Sequence, residues 1–434
     1  MSTDPKIKRA EQGDADVIVI GGGPAGLMAA GRAAELGAGV ILLEKNQRLG
    51  LKLLLTGGGR CNVTNSAALK GFIAAFGRNG KFLYRALTVF SNEKLVGFLK
   101  SFGVYTRTDP DGKIFPADDK AQSVLNALQG YLGRGKVTEL FGAQASGLLG
   151  GGTQVTGVKL ADGRTLRANK VIIATGGLSY PATGSTGDGY ALARQGGHTI
   201  VALRPGLTAL ESDEPFIKDL QGLTLQNVSL SILVNGKKEA SGKGDLLFTH
   251  FGVSGPQLLV MSGTAVDALA RPGVRVELCV NLKPELNAEE LAAAIQGYFA
   301  ANGAKLFSSY VKDTLPASLV PVFEGCCCID RTRKCASITA PERRRIAELL
   351  GGFRLNLSRP RPLRDATVTR GGVCLAEVNP QTMESRLVRG LYFCGEVLDL
   401  DGVTGGYNLQ EAFSTGYLAG ESAAAPEEPR SEDK

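Results

Sequence analysis

Between residues 17 and 44 the chain reads VIVIGGGPAGLMAAGRAAELGAGVILLE: a β-branched run, a glycine cluster, and a second apolar run that ends in a carboxylate. Gly21, Gly23 and Gly26 hold the G-x-G-x-x-G spacing. At that spacing the first glycine permits a tight turn, the second lets backbone N–H groups approach a diphosphate, and the third lets a helix pack closely on the strand. Pro24 and Ala25 fall in the first turn of that helix, whose N-terminus favours diphosphate charge. Glu44 stands 18 residues after Gly26, followed by Lys45. A carboxylate there accepts hydrogen bonds from an adenosine ribose and repels a 2′-phosphate. The pattern predicts a site for FAD or NAD and not for NADP.

The partner pieces of this loop lie far downstream. KVIIATGGLSYPATGSTGDGY (170–190) is a β-run ending in Thr175-Gly176-Gly177, and GLYFCGEVLDLDGVTGGYNLQEAFSTGYLAG (390–420) is a strand followed by Gly395-Glu396, a glycine turn and a helix. An NAD dehydrogenase usually completes its nucleotide-binding halves within the next hundred or so residues. FAD is longer: one turn holds its ADP half while other strand ends hold the ribityl chain and flavin. The last helix, capped near Asn408 and preceded by Gly405-Gly406, is expected to aim N–H groups of Tyr407, Asn408 and Leu409 at the flavin's pyrimidine edge, stabilising the negative charge of reduction. Glu396, Asp399 and Asp401 are candidates for the ribityl hydroxyls, with surface carboxylates the other reading of the two aspartates.

GGGRCNVTN, FPADDKAQSV, ATGGLSYPATGSTGDGY, LLFTHFGVSGP, GGV…TMESR and the 390–420 segment together resemble the BaiN-like, aminoacetone-oxidase-like family of FAD-binding flavoproteins, in the two-dinucleotide-binding-domain superfamily. The resemblance runs from about Ala15 to Ser422. It implies an α/β fold: a discontinuous Rossmann-like FAD domain with an inserted β-barrel-like domain and a helical subdomain. Related flavoproteins carry an R-x-G-G-R-x-x-S/T motif against FAD, and Gly58-Gly59-Arg60 matches its middle. Thr56 stands where the first arginine would be, and Thr64 falls one residue late. The loop's backbone, Gly59 and Arg60 are expected to approach the pyrophosphate, with Lys52, Cys61 and Asn62 nearby.

The periodicities fit that layout. Residues 67–103 read as helical and 137–175 as short strands with turns at Gly150–Gly152 and Asp162-Gly163. From Pro205 apolar and polar residues alternate around an Asn235-Gly236 hairpin turn. The expected divisions are a tail at 1–14, the first part of the FAD domain at 15–204, a β-rich insertion at 205–282 and a helical subdomain at 283–352. Return strands at 353–378, the rest of the FAD domain at 379–422 and an acidic tail at 423–434 complete the reading.

The 434 residues include 58 glycines and eight cysteines, and the net charge is +7. The longest apolar stretch, 17–43, is broken by Arg32, Glu35 and glycines, which argues against a membrane span. The first residues lack the apolar core of a signal peptide, so the cysteines are expected as reduced thiols in the cytoplasm. Cys326-Cys327-Cys328 with Cys335 lack the separated pairs and nearby histidine of a zinc site, so packing is expected and no metal. No C-x-x-C occurs, so Cys61 and Cys394 are expected to pack against the cofactor and not to relay electrons. Of the two histidines, His198 reads as structural. His250, on a Gly- and Ser-rich loop, and Tyr180, in GGLSYP, are candidate proton donors to substrate.

The chemistry expected is hydride transfer through flavin by an FAD-dependent oxidoreductase acting on CH–CH groups. GLLGGGTQV and SGKGDL lack the helix and carboxylate of a second nucleotide site, so NADH or NADPH is expected to dock transiently and leave before substrate binds. The resemblance implies saturation of an activated, enone-like C=C bond in a small molecule. It also leaves open reduction of uridine to dihydrouridine in ribosomal RNA, oxidation of an aminoketone by O2, and a non-catalytic flavin-binding role. The oligomeric state is not readable.

Overall fold

The structure is a computed structural model that describes residues 14–426. It divides the chain into two compact units. One is formed by the segments up to Arg204 and from Thr367 onward; the other is Pro205–Ala366. Each has its own apolar core.

The first unit is built on five strands: β1 (Val17–Ile20), β2 (Val40–Glu44), β3 (Val137–Phe141), β4 (Lys170–Ile173) and β5 (Leu391–Phe393). They pair in parallel in the order β3-β2-β1-β4-β5. Every residue of β1 and β2 is buried, as a parallel sheet covered on both faces requires. Parallel pairing sends the C-terminal ends of β1, β2, β4 and β5 to one edge. The glycine loop, Glu44, Thr175-Gly176 and Gly395-Glu396 therefore gather there, and the strand order reverses beside β1, where ligands of open α/β sheets bind.

An opening helix (Pro24–Glu35) follows β1, and a closing helix (Tyr407–Ala424) follows β5. Their contact is set by Gly416 and Gly420, four residues apart on one helix face. A Cβ at either would lie 2.3 Å from the carbonyl oxygen of Ala25 or of Ala29. Between β2 and β3 the expected helices occur at Leu69–Ala75, Tyr84–Val89 and Asn92–Ser101. A small antiparallel sheet places Lys113–Pro116 between Thr64–Asn65 and Thr106–Thr108. The short strands expected before β4 form a three-stranded antiparallel sheet.

The second unit holds a seven-stranded antiparallel sheet. Thr224–Val234 and Lys237–Thr249 form the expected hairpin, with Asn235 and Gly236 both at positive φ. The two strands at the ends of the sheet order, Phe353–Leu357 and Arg359–Pro360, are consecutive in the chain and separated by Ser358 alone. That connection curls the sheet until its ends approach, which gives it its barrel-like form. Helices Ala288–Ala301, Phe307–Thr314, Val320–Cys327 and Ala340–Gly351 make up the helical part.

Two boundaries differ from the sequence reading. The return to the first unit comes at Thr367 and not at 379, because Val368–Val373 pairs with Ile200–Gly206. Gly371 and Gly372 sit against the main chain of Ala202 and Leu398 there. The closing helix also runs on to Ala424. The rest of the two expected tails lies outside the described residues.

Candidate functional site

The three loop glycines are glycine for different reasons. Gly21 has φ 107° and a Cβ there would lie 2.6 Å from the Ala174 carbonyl oxygen; at Gly26 a Cβ would lie 1.9 Å from the Gly21 carbonyl oxygen. These two serve packing. A Cβ on Gly23 would meet nothing within 4 Å, so its bareness leaves space open at the helix end. Gly23 is the N-cap, no side chain caps the helix, and Pro24 has no N–H to cap. The N–H groups of Ala25 and Gly26 have no partner within the helix.

Glu44 is 8% exposed at the end of β2. Its Oε2 accepts from Gly22 N–H at 2.9 Å, and its Oε1 from the main-chain and side-chain nitrogens of Asn46 at 2.8 and 2.7 Å. A carboxylate oxygen has capacity for a second donor, so this arrangement fixes the orientation of Glu44 without saturating it. Lys45 turns to Thr186 and, at 2.9 Å, to Asp188. Burial works against the Asp188 charge, but the bonds from Lys45 and Thr186 outweigh it and hold that carboxyl below its usual range.

Beside β4 and β5, Lys52 Nζ lies 2.5 Å from Glu396 Oε2 and 2.6 Å from Ser179 Oγ. Glu396 Oε1 accepts from Ser179 Oγ at 2.9 Å and from Thr369 N–H at 2.7 Å. Glu396, expected on ribityl hydroxyls, is thus also the centre of a protein network. Tyr180 adjoins it, with Lys52 Nζ 5.9 Å from its ring centroid. The tyrosine holds φ 53°, and its carbonyl accepts from Thr183 N–H at 2.9 Å and Oγ1 at 2.7 Å. Thr175 Oγ1 is buried and has no hydrogen-bond partner.

In the second glycine cluster Gly57, Gly58 and Gly59 all have positive φ, and a Cβ on Gly58 or Gly59 would meet nothing within 4 Å. Arg60 is exposed, its Nε bonded to the Gly57 carbonyl at 3.2 Å and its guanidinium 4.9 Å from the Phe115 ring centroid. Cys61 is fully buried, which pushes its thiol up to about 12; Cys394 is also fully buried and its thiol pushed up. Both are poor redox thiols and packed side chains. The Asn62 amide, with its nitrogen donating to the carbonyls of Thr64 and Ile114, accepts from Gly406 N–H at 2.9 Å through its oxygen. Asn65 Nδ2 donates to the Gly405 carbonyl at 3.0 Å. A Cβ on Gly406 would lie 2.2 Å from the Thr64 carbonyl oxygen. This second cluster is therefore joined to the closing helix, whose first-turn N–H groups, Tyr407, Asn408 and Leu409, are left without a side-chain cap. Asn408 binds both the N–H and the C=O of Gly402, at 2.8 and 2.9 Å.

Other candidates stand apart. Asp399 engages Asn79 and Asp401 pairs with Arg370 at 3.1 Å. His250 belongs to the second unit, exposed on the turn between Lys237–Thr249 and Gly252–Ser254, with its ring against Phe251. His198 is buried, bonded to Ser385 Oγ at 2.8 Å with Glu377 at 3.3 Å. Cys326, Cys327 and Cys328 are half-buried, buried and exposed in turn; among the described residues no group of three or more His, Cys, Asp or Glu is placed to hold a metal ion. The sequence reading missed Asn46, Asn65, Ser179 and Thr369. Each is a small polar residue whose role depends on what the fold sets opposite it, although Asn65 and Ser179 lay inside stretches already singled out.

Two uncapped helix ends, bare space at Gly23, an oriented carboxylate at the end of β2 and an unpartnered hydroxyl at Thr175 fit a long dinucleotide laid across the sheet edge. Residues 15–422 match the family described as HI0933-like protein Rossmann domain. The chain is 32% identical over 410 residues to a 3-dehydro-bile acid delta(4,6)-reductase of Clostridium scindens, covering 94% of this chain and 98% of that protein. It is 31% identical over 412 residues to a ribosomal RNA dihydrouridine synthase of Escherichia coli, with the same coverage of 94% and 98%. The fold is similar to that of 3-ketosteroid delta1-dehydrogenase from Sterolibacterium denitrificans, with a TM-score of 0.54, 14% identity, and 95% of this chain and 99% of that one covered. No helix among the described residues is long and apolar enough to cross a membrane. The chain belongs to the HI0933-like Rossmann-domain family of FAD-binding oxidoreductases.

Proposed function

We propose that the chain is an FAD-dependent reductase that saturates an activated C=C bond conjugated to a carbonyl, in a small molecule in the cytoplasm, with NADH or NADPH as a transient donor. The observation that carries this reading is similarity along 94% of the chain to a protein named as a delta(4,6)-reductase. Bound FAD supplies reversible hydride chemistry. Gly21, Gly23, Pro24, Ala25 and Gly26 hold the diphosphate at the opening helix, and Glu44, oriented by Gly22 and Asn46, takes the ribose with Lys45 beside it. Gly59, Arg60, Cys61 and Asn62 form the facing wall, while Thr175, Gly176 and Gly395 bring main chain against the cofactor. Lys52 orients Glu396 toward the ribityl hydroxyls. Gly405 and Gly406 let the closing helix end approach, so that the N–H groups of Tyr407, Asn408 and Leu409 stabilise negative charge at the pyrimidine edge. Tyr180 and His250 are the candidates for giving substrate its proton.

A second reading is favoured by the dihydrouridine synthase of similar identity and by the net charge of +7: uridine in ribosomal RNA also presents a C=C bond conjugated to a carbonyl. The test is anaerobic mixing of the FAD-loaded chain with NADH or NADPH, then with a conjugated steroid enone. Fast bleaching and recovery on enone support the primary reading. Indifference to NAD(P)H, with fast peroxide production from an aminoketone once air is admitted, supports an oxidase instead. Loss of one dihydrouridine from the ribosomal RNA of a deletion strain supports the second reading.

A further inference from the structure

Glu411 lies in the closing helix and is 3% exposed. Among the described residues no lysine or arginine pairs with it. Its Oε1 is 3.3 Å from Thr415 Oγ1. That hydroxyl donates its hydrogen to the Glu411 main-chain oxygen at 2.7 Å and accepts Gly395 N–H at 2.9 Å. A hydroxyl has one proton, and the shorter contact draws it to the main-chain oxygen, so the buried carboxyl is left with only a long contact to Thr415 and no cationic partner. The geometry calls for a neutral acid. Burial agrees: it pushes the carboxyl up to about 8 against the bond from Thr415, and the Glu396 charge adds to the rise.

The titratable groups facing Glu411 are few. Cys394, at the end of β5, is kept a neutral thiol by burial; Glu396, in the turn that follows, pairs with Lys52. The opening helix meets the closing helix with the main chain of Ala25 and Ala29, β4 brings Ile173 to Cys394, and the 84–101 helices turn the Phe90 carbonyl to Gln410 and Ser414. The route from Glu411 to the dinucleotide loop is short. Thr415 holds Gly395, and a Cβ on Gly395 would lie 2.8 Å from the Ala25 Cβ, in the first turn of the opening helix.

We propose that Glu411 is a charge-compensating group of the cofactor site, protonated whenever the anionic diphosphate is bound, so that FAD binding above neutral pH takes up a proton. This rests on the FAD reading above. A second negative charge in a poorly solvated region raises the energy of the ionised acid. Cofactor affinity is therefore constant at low pH and falls as pH rises through the titration of the free chain.

The test dilutes the FAD-loaded full chain into buffers from pH 6.5 to 9.0 and reads released FAD by its fluorescence. The wild-type Kd should rise about tenfold between pH 7 and 9, while E411Q should stay within about twofold. An indicator dye should register proton uptake when FAD is added at pH 8.5 to the wild type and none for E411Q. Matching pH profiles, a flat wild-type profile, or a folded E411Q that releases FAD at every pH would each overturn the proposal. Should E411Q fail to fold, absence of proton uptake by the wild type alone overturns it. Failure of the wild type to retain FAD at any pH overturns the FAD reading itself.

Discussion

Gly23 and Gly26 stand three residues apart in one motif, yet a Cβ at Gly23 enters open space and one at Gly26 strikes the Gly21 carbonyl. Gly23→Ala should leave thermal stability nearly unchanged while weakening FAD binding tenfold or more. Gly26→Ala should destabilise the fold by about 1–3 kcal/mol. Thermal unfolding and FAD titration of both variants check this, and equal loss of stability would show that Gly23 also serves packing. Glu411 makes a second prediction here, on stability. A glutamate ionises near ~4.3 in an unfolded chain, whereas burial carries it to about 8 in the fold. A group raised on folding contributes stability that is complete below its unfolded value and is lost as pH rises through its folded one. This residue should therefore remove up to about 1.4 kcal/mol per pH unit between about pH 4.5 and 8. Urea unfolding at pH 5 and pH 8 should show the advantage of E411Q over wild type widening with pH; an equal gap at both would mean the acid is already ionised in the fold.

The candidate site is set by how elements meet. The Thr64–Asn65 strand and the closing helix touch where Gly406 has no side chain, and Asn62 and Asn65 tie the two glycines 405 and 406 in place. Asn62→Ala removes the partner of Gly406 N–H and should cost about 1–2 kcal/mol, with faster amide exchange confined to the start of the closing helix. Global loosening would count against a local tie at Gly406. The two long helices meet main chain to main chain at Gly416 and Gly420. Gly416→Leu should force them apart, lowering thermal stability by more than Asn62→Ala does and reducing FAD retention with it. The glycines of GGYNLQEAFSTGYLAG were legible as nucleotide-loop residues at the front of the helix. Those at its back were not, because a helix glycine shows its packing role only when the opposing backbone is known.

Across the whole molecule, ligand binding to the first unit should raise the apparent stability by mass action, about 2.7 kcal/mol at a hundredfold excess over Kd. FAD should raise Tm; FMN, which lacks the AMP moiety that the Gly21–Gly26 loop and Glu44 are built to take, should not. An equal shift with FMN would reject the assignment of that loop. The sequence by itself determined the nucleotide chemistry, the discontinuous α/β architecture and the Asn235-Gly236 hairpin. The first and last are written in local signals, namely glycine spacing after a β-branched run, a carboxylate at the end of the next strand, and turn residues that accept positive φ; the discontinuous architecture is implied by the family resemblance. The tertiary structure alone decided that Val368–Val373 belongs with the first unit, that Glu396 is held between Lys52, Ser179 and Thr369, and that Glu411 is sealed from water beside Thr415. Those facts join residues up to hundreds of positions apart, and burial and partner, not residue type, set the charge each group carries.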